Sequence, residues 1–226
     1  MLEIRARRFG PALPAATGYP MLEARNLEAT RGGMPLFSGL GFTVEPGALL
    51  RVTGANGSGK TSLLRVLCGL LAPSAGEVRW AGEPIQRLRE EFWARLLYVA
   101  HANALKDDLT VAENLAVANA LAGWQASPAQ IASAIEQFGL AARARLPVRV
   151  LSQGQRRRAA LARLALGGAA PLWILDEPFS ALDAAGVAMV RARVAAHLAR
   201  GGMVVLTTHQ DAPIDAPVAL DLDLGG

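Results

Sequence analysis

Cysteine is nearly absent: Cys68 stands alone in 226 residues. One thiol excludes a disulfide framework and a cysteine-rich metal site, and it fits a reducing compartment such as the cytosol. Cys68 is expected to pack as a small apolar residue in its helix. Aromatics are scarce at 5%, yet apolar content is 52%, much of it Ala and Leu, which suits helices. No run of about 18 apolar residues occurs, so no segment reads as membrane-spanning. The longest weakly polar run, Leu164 to Leu175, holds two glycines and a proline and reads as helix end, turn and buried strand. Lysine is rare as well: of 23 basic residues only Lys60 and Lys106 are not Arg. The net charge of +4 is uneven, because Arg5, Arg7 and Arg8 against Glu3 give residues 1–20 a charge of +2. The +2 left for the rest is too little for a nucleic-acid-binding face.

What is present centres on Gly54-Ala55-Asn56-Gly57-Ser58-Gly59-Lys60-Thr61, which matches G-x-x-x-x-G-K-[ST] in full. Glycines allow positive φ and close approach of the backbone to a ligand. Successive N–H groups then face one concavity, and the following helix adds the positive end of its dipole. Lys60 supplies a charge for the β- and γ-phosphates and Thr61 a hydroxyl for Mg²⁺. Leu49–Thr53 reads as the strand entering this loop and Ser62–Cys68 as the helix leaving it. That one of two lysines stands here, in a chain otherwise written in Arg, adds weight.

The chain divides unevenly. Residues 1–20 are rich in Pro and Gly, without periodicity, and are expected to be a disordered extension. Met21-Leu22-Glu23 echoes Met1-Leu2-Glu3, and Met21 is expected to be the usual start. Leu22–Leu27 and Gly41–Glu45 read as edge strands, Glu77–Trp80 and Leu96–Ala100 as further strands. From Thr110 to Leu140 the pattern is helical, with capping boxes at Thr110/Glu113 and Ser127/Gln130 and Pro128 at the first helical position. This predicts a small helical subdomain, about 102–160, inserted between strands. Leu151-Ser152-Gln153-Gly154-Gln155 opens another helix, capped by Ser152 with Gln155 and running to Leu166. Its Arg156, Arg157 and Arg158 read as a solvated or subunit-facing surface. Leu172–Leu175 reads as a buried parallel strand delivering Asp176 and Glu177 to its C-terminal end, where α/β sheets keep their ligands. Ser180–Asp183 follows in a loop. Met203–Thr207 is a last strand, leading to His209.

The ordered set resembles the ATP-binding cassette (ABC) ATPases over residues 22–226. Gly54–Thr61 corresponds to their Walker A loop, Leu151–Gln155 to the signature, Leu172–Glu177 to Walker B with its adjoining glutamate, Ser180–Asp183 to the D-loop and His209 to the switch histidine. The resemblance implies an α/β P-loop NTPase cassette with a mostly parallel core sheet, an antiparallel β-subdomain and a small helical subdomain. It also implies ATP and Mg²⁺. Residues Gly54 through Ser62 would wrap the phosphates, with Thr61 and Asp176 on the metal, the latter through water. Glu177 would be the general base and His209 the γ-phosphate sensor, with Lys60 neutralising charge. Two cassettes would face head to tail, so that Ser152, Gly154, Gln155 and Asp183 of one meet ATP held by the other. Three positions depart from the family pattern. Gln153 replaces a glycine, His101 stands where a glutamine near the metal is usual, and Arg31 falls where an aromatic usually stacks on adenine.

Within the family the chain is most similar to the ATPase subunits of cytochrome c maturation haem exporters. The likeness rests on Met21–Arg25, Leu36–Leu40, Tyr98–His101, Leu109–Leu115, Leu172–Phe179 and Thr207–Gln210. It implies a peripheral protein on the cytoplasmic face of the bacterial inner membrane. Its partners would be an integral membrane permease subunit and other maturation proteins, with no nucleic acid. A cassette of a different exporter or importer is the alternative. A soluble cassette of translation or DNA repair is disfavoured by the single Walker A, the absence of a long coiled coil and the absence of a basic face.

Overall fold

The computed structural model describes residues 4–8, 20–210 and 213–225. A six-stranded sheet runs in the order β1 (Ile4–Arg8), β10 (Val218–Asp223), β4 (Ala48–Thr53), β9 (Met203–Thr207), β8 (Leu172–Leu175), β7 (Leu96–Val99). Every neighbouring pair in it is parallel except β1 with β10. A four-stranded antiparallel sheet runs β3 (Met34–Val44), β2 (Leu22–Arg31), β5 (Ala75–Trp80), β6 (Glu83–Pro84). The helices are α1 (Lys60–Leu67), α2 (Ile85–Leu88), α3 (Glu90–Ala94), α4 (Val111–Leu121), α5 (Pro128–Gln137), α6 (Gln153–Leu161), α7 (Arg163–Leu166) and α8 (Ala184–Ala199).

Strands β4, β7, β8 and β9 are short and largely apolar and buried, as parallel strands covered on two sides must be. Alternation then sorts their side chains. Leu50 and Val52, Leu172 and Ile174, and Met203 and Val205 join α1 and the antiparallel sheet in one core. Leu49, Trp173, Leu175, Val204 and Leu206 point the other way, into a second core with α4, α5, α6 and α8. With all these strands parallel, the ends of β4, β7, β8 and β9 fall on one edge. The sequence residues expected to carry chemistry follow those ends.

Both capping boxes expected in the helical stretch form, at Thr110/Glu113 and Ser127/Gln130, and Pro128 occupies the first turn of α5. The helix expected from Gln153 to Leu166 is broken instead at Ala162, where the turn tightens and Ala165 N–H donates to the Ala162 carbonyl three residues back. The two edge strands expected near the start are longer than read and form a hairpin, β2–β3, turning at Gly32-Gly33. Of the extension expected to be disordered over 1–20, Ile4–Arg8 forms β1, with Ile4 opposite Leu222 and Arg8 opposite Val218. The free edge of β10 offers its N–H and C=O groups to an extended segment. Residues 1–3 and 9–19 lie outside the described residues.

Candidate active site

The turn from β4 into α1 sets the site. Gly54, Gly57 and Gly59 all have positive φ, and a Cβ on Gly54 would sit 2.7 Å from Ser58 Oγ. Only glycine closes this loop so tightly. Lys60 begins α1 and is nearly buried; its Nζ donates to the Gly54 and Ala55 carbonyls at 2.8 and 2.9 Å. The ammonium is thereby held at the mouth of its own loop.

Thr61 Oγ1, one residue on, donates to Asp176 Oδ2 at 2.9 Å across the gap between α1 and the end of β8. Asp176 is 1% exposed, and its other oxygen accepts from Thr207 Oγ1 at 2.8 Å. A buried carboxylate is stable only when its oxygens are satisfied, and two hydroxyls do this here. The Thr61 hydroxyl and Asp176 carboxylate at a phosphate loop form an all-oxygen donor pair, the set that suits Mg²⁺.

Glu177 follows with φ of 48°, a left-handed conformation that costs a non-glycine residue about 1–3 kcal/mol. Both its peptide groups are tied down: its N–H donates to Thr207 Oγ1 at 2.8 Å, and its carbonyl accepts from Arg157 Nη2 at 2.7 Å. The twist turns the side chain into the cleft. There Glu177 Oε1 lies 3.5 Å from His209 Nε2 and has no hydrogen-bond partner among the described residues. A buried carboxylate oxygen left without a donor can polarise a water.

These groups line a cavity of about 420 Å³ that gathers parts of the phosphate loop with Arg31, Leu36, His101, Ser180 and His209. Asp176 and Glu177 form its floor with Lys60 and Thr61. Arg31 lies at the end of β2, beside the hairpin turn. Ser152, Gly154, Gln155 and Asp183 do not line this cavity. Ser152 and Gln155 form the capping box of α6, and Asp183 caps α8 by accepting from Gly186 N–H at 2.8 Å. A Cβ on Gly154 would lie 3.0 Å from the Ala181 carbonyl, so the start of α6 rests on the loop before α8. Gln153, which stands where a glycine was expected, is exposed and meets no such constraint.

Arg157 corrects the reading of its triplet as surface. It is 3% exposed and reaches under the cleft, donating to the carbonyls of Ala100, Asp176 and Glu177. Burial lowers its pKa, while Asp176 and Glu177 raise it; an arginine starts so far above neutrality that it stays charged. Thr207 ends the apolar strand β9 at the ligand edge, where its hydroxyl joins the Asp176 carboxylate to the Glu177 N–H; as a strand-end threonine it carries no distinct signal in the sequence. Leu36, on the apolar side of the hairpin, was quoted for likeness and not for the site. Cys68 is buried, as expected, and burial raises its thiol pKa.

The chain is similar to known proteins in sequence and in fold. The ABC transporter family model matches residues 37–180. The chain is 55% identical over 204 residues to the cytochrome c biogenesis ATP-binding export protein CcmA of Aromatoleum aromaticum, covering 90% of this chain and 95% of that one. It is 54% identical over 191 residues to the protein of that name from Nitrosomonas europaea, covering 84% of this chain and 89% of that one. With the counterpart from Dechloromonas aromatica it shares 52% over 205 residues, 91% of this chain and 100% of that one. Among solved structures, a putative ABC transporter ATP-binding protein from Pyrococcus furiosus superposes with a TM-score of 0.75 at 24% identity, over 89% of this chain and 97% of that one. A dimeric ATP-binding cassette bound to ADP and Pi gives 0.73 at 22%, over 84% and 88%. The chain belongs to the ABC transporter family and, within it, to the CcmA group of ATP-binding proteins.

Proposed function

We propose that the chain is the ATP-hydrolysing subunit of an ABC transporter for cytochrome c maturation. In this role it couples ATP hydrolysis to haem export or to release of a haem-loaded chaperone. The observation that carries the reading is the convergence, on one sheet edge, of Lys60, the Thr61–Asp176 pair and the Glu177–His209 pair around a single cavity. The identity to CcmA proteins supports the choice of transporter.

In this reading ATP lies with its phosphates against Gly54 to Ser62, and Lys60 turns from its own loop carbonyls to the β- and γ-oxygens. Arg31 covers the adenine with its guanidinium plane. Thr61 and Asp176 would hold Mg²⁺, with His101 at the same edge; the ion would supply positive charge that offsets the triphosphate. Phosphoryl transfer needs positioning and charge neutralisation more than covalent help. Glu177 takes a proton from the attacking water as the water oxygen bonds to the γ-phosphorus and the bond from that phosphorus to the β,γ-bridging oxygen breaks, so that ADP and phosphate leave; His209 contacts the γ-phosphate and registers its loss. Ser152, Gly154, Gln155 and Asp183 act on ATP held by a second copy, which accounts for their standing outside the cavity of their own chain. Residues 21–226 carry one ATPase domain, with a helical subdomain over about 102–160, and Ile4–Arg8 adds an edge strand to its sheet. The protein sits on the cytoplasmic face of the bacterial inner membrane, against an integral permease subunit and further maturation proteins.

Two experiments test this. Glu177→Gln is expected to bind ATP as tightly as the natural chain and to hydrolyse it at least about 100-fold more slowly; turnover within tenfold of normal removes Glu177 from the base role. Capture from solubilised membranes is expected to recover the maturation permease. Recovery of an unrelated permease without maturation proteins overturns the haem assignment and leaves the ATPase reading standing.

A further inference from the structure

Arg157 sits in the first turns of α6, the helix that Ser152 caps, yet its guanidinium ends among the main chain of two strand ends. Nη1 reaches the carbonyls of Ala100 and His101 at 3.1 and 3.4 Å and Asn103 Oδ1 at 3.2 Å. Nη2 reaches the carbonyls of Asp176 and Glu177 at 2.9 and 2.7 Å. One planar fork therefore joins α6 to the segment after β7, which carries His101, and to the segment after β8, which carries Glu177. A compact ammonium could not span both with fixed angles. The bond to the Glu177 carbonyl matters most, because Glu177 holds a left-handed φ of 48° that its neighbours must enforce. Thr207 enforces it from the N–H side and Arg157 from the carbonyl side.

We propose that Arg157 is a positioning residue for hydrolysis, fixing the backbone of Glu177 and His101 to the helix that carries Ser152 and Gly154. A displacement of that helix, whose N-terminus faces the second copy, then moves the carboxylate and the imidazole of the same chain together. The two ATP sites of a pair are coupled through this guanidinium. The inference rests on the reading of Glu177 as the base.

A double-mutant cycle on the full chain tests it. Arg157→Lys is expected to lower kcat for ATP about 10- to 100-fold, the scale on which small misplacement of a reacting group is felt, with KM changed less than about threefold. Arg157→Gln is expected to fall further than Arg157→Lys. In the Glu177→Gln background, Arg157→Lys is expected to leave the residual rate unchanged within about twofold, since the base it positions is gone and the placement of His101 then limits nothing; a merely structural role would lower both backgrounds alike. Normal kcat in Arg157→Lys, equal losses in both backgrounds, or loss of ATP binding in the Arg157 variants overturns the proposal and leaves Glu177 as base. Normal turnover in Glu177→Gln alone overturns both.

Discussion

His197 is the residue whose surroundings make the sharpest claim outside the cleft. Its ring stacks on Trp173 with centroids 3.9 Å apart and planes 7° from parallel, and Nε2 lies 3.3 Å from the Pro171 carbonyl. Burial pushes its pKa from 6.5 to about 4, chiefly because the cation would lose its hydration there. Between those values the unfolded chain holds more protons than the folded one, so stability rises with pH. The contribution is complete above 6.5 and is lost as pH falls toward 4, with an upper bound of about 3.5 kcal/mol at about 1.4 kcal/mol per pH unit. Melting temperature is therefore expected to drop by several degrees between pH 7 and 4.5. His197→Gln keeps an amide in reach of the Pro171 carbonyl and cannot titrate, and should flatten that slope. An equally steep slope in the variant would assign the acid sensitivity to other groups.

Capped helices show how far elements could be read in advance and where reading stopped. α5 and α6 open with the same device, a serine and a glutamine three residues on, and both were legible because capping is local chemistry. The parallel strands were legible as short apolar runs, and the phosphate loop as a fixed spacing. What escaped was set by distant chain. β10 lies beside β4 in the middle of the sheet, although Pro213, Pro217 and its interspersed aspartates hid it as a strand. β1 exists only because β10 has a free edge. Arg157 looks like its neighbours until β7 and β8 are folded beside it. The shared capping device gives a controlled comparison. Ser127→Ala should lose about 1 kcal/mol, lowering the melting temperature by about 2–4 °C, with ATP turnover unchanged. Ser152→Ala should lose a similar amount of stability and also slow turnover at least tenfold, because on the proposed reading its hydroxyl meets the partner's ATP. Equal turnover in both variants would reduce Ser152 to a cap.

Taken whole, and on the proposed reading, the molecule holds half of an enzyme site at each of two places. Lys60, Thr61, Asp176, Glu177 and His209 share one cavity, while Ser152, Gly154 and Asp183 lie outside it. No described helix is long and apolar enough to cross a membrane. On the proposed reading, work on a membrane partner comes from motion between surfaces. On that reading a second copy closing over the phosphates would supply the motion, and the start of α6 is the surface that would do the closing, with its helix dipole directed at anionic oxygen. Charge at that point should then decide assembly. Aspartate is as good an N-cap as serine, so Ser152→Asp keeps α6 intact while setting a negative charge against the partner's triphosphate. In the Glu177→Gln background, which is expected to hold ATP unhydrolysed, light scattering with Mg²⁺ and ATP should give twice the chain mass. With Ser152→Asp added it should give the single-chain mass. ATP affinity of the isolated chain should stay within about twofold, because Ser152 does not line that chain's own cavity. A doubly substituted chain that still pairs in ATP would mean that the copies meet through another surface, and would detach α6 from the partner's nucleotide.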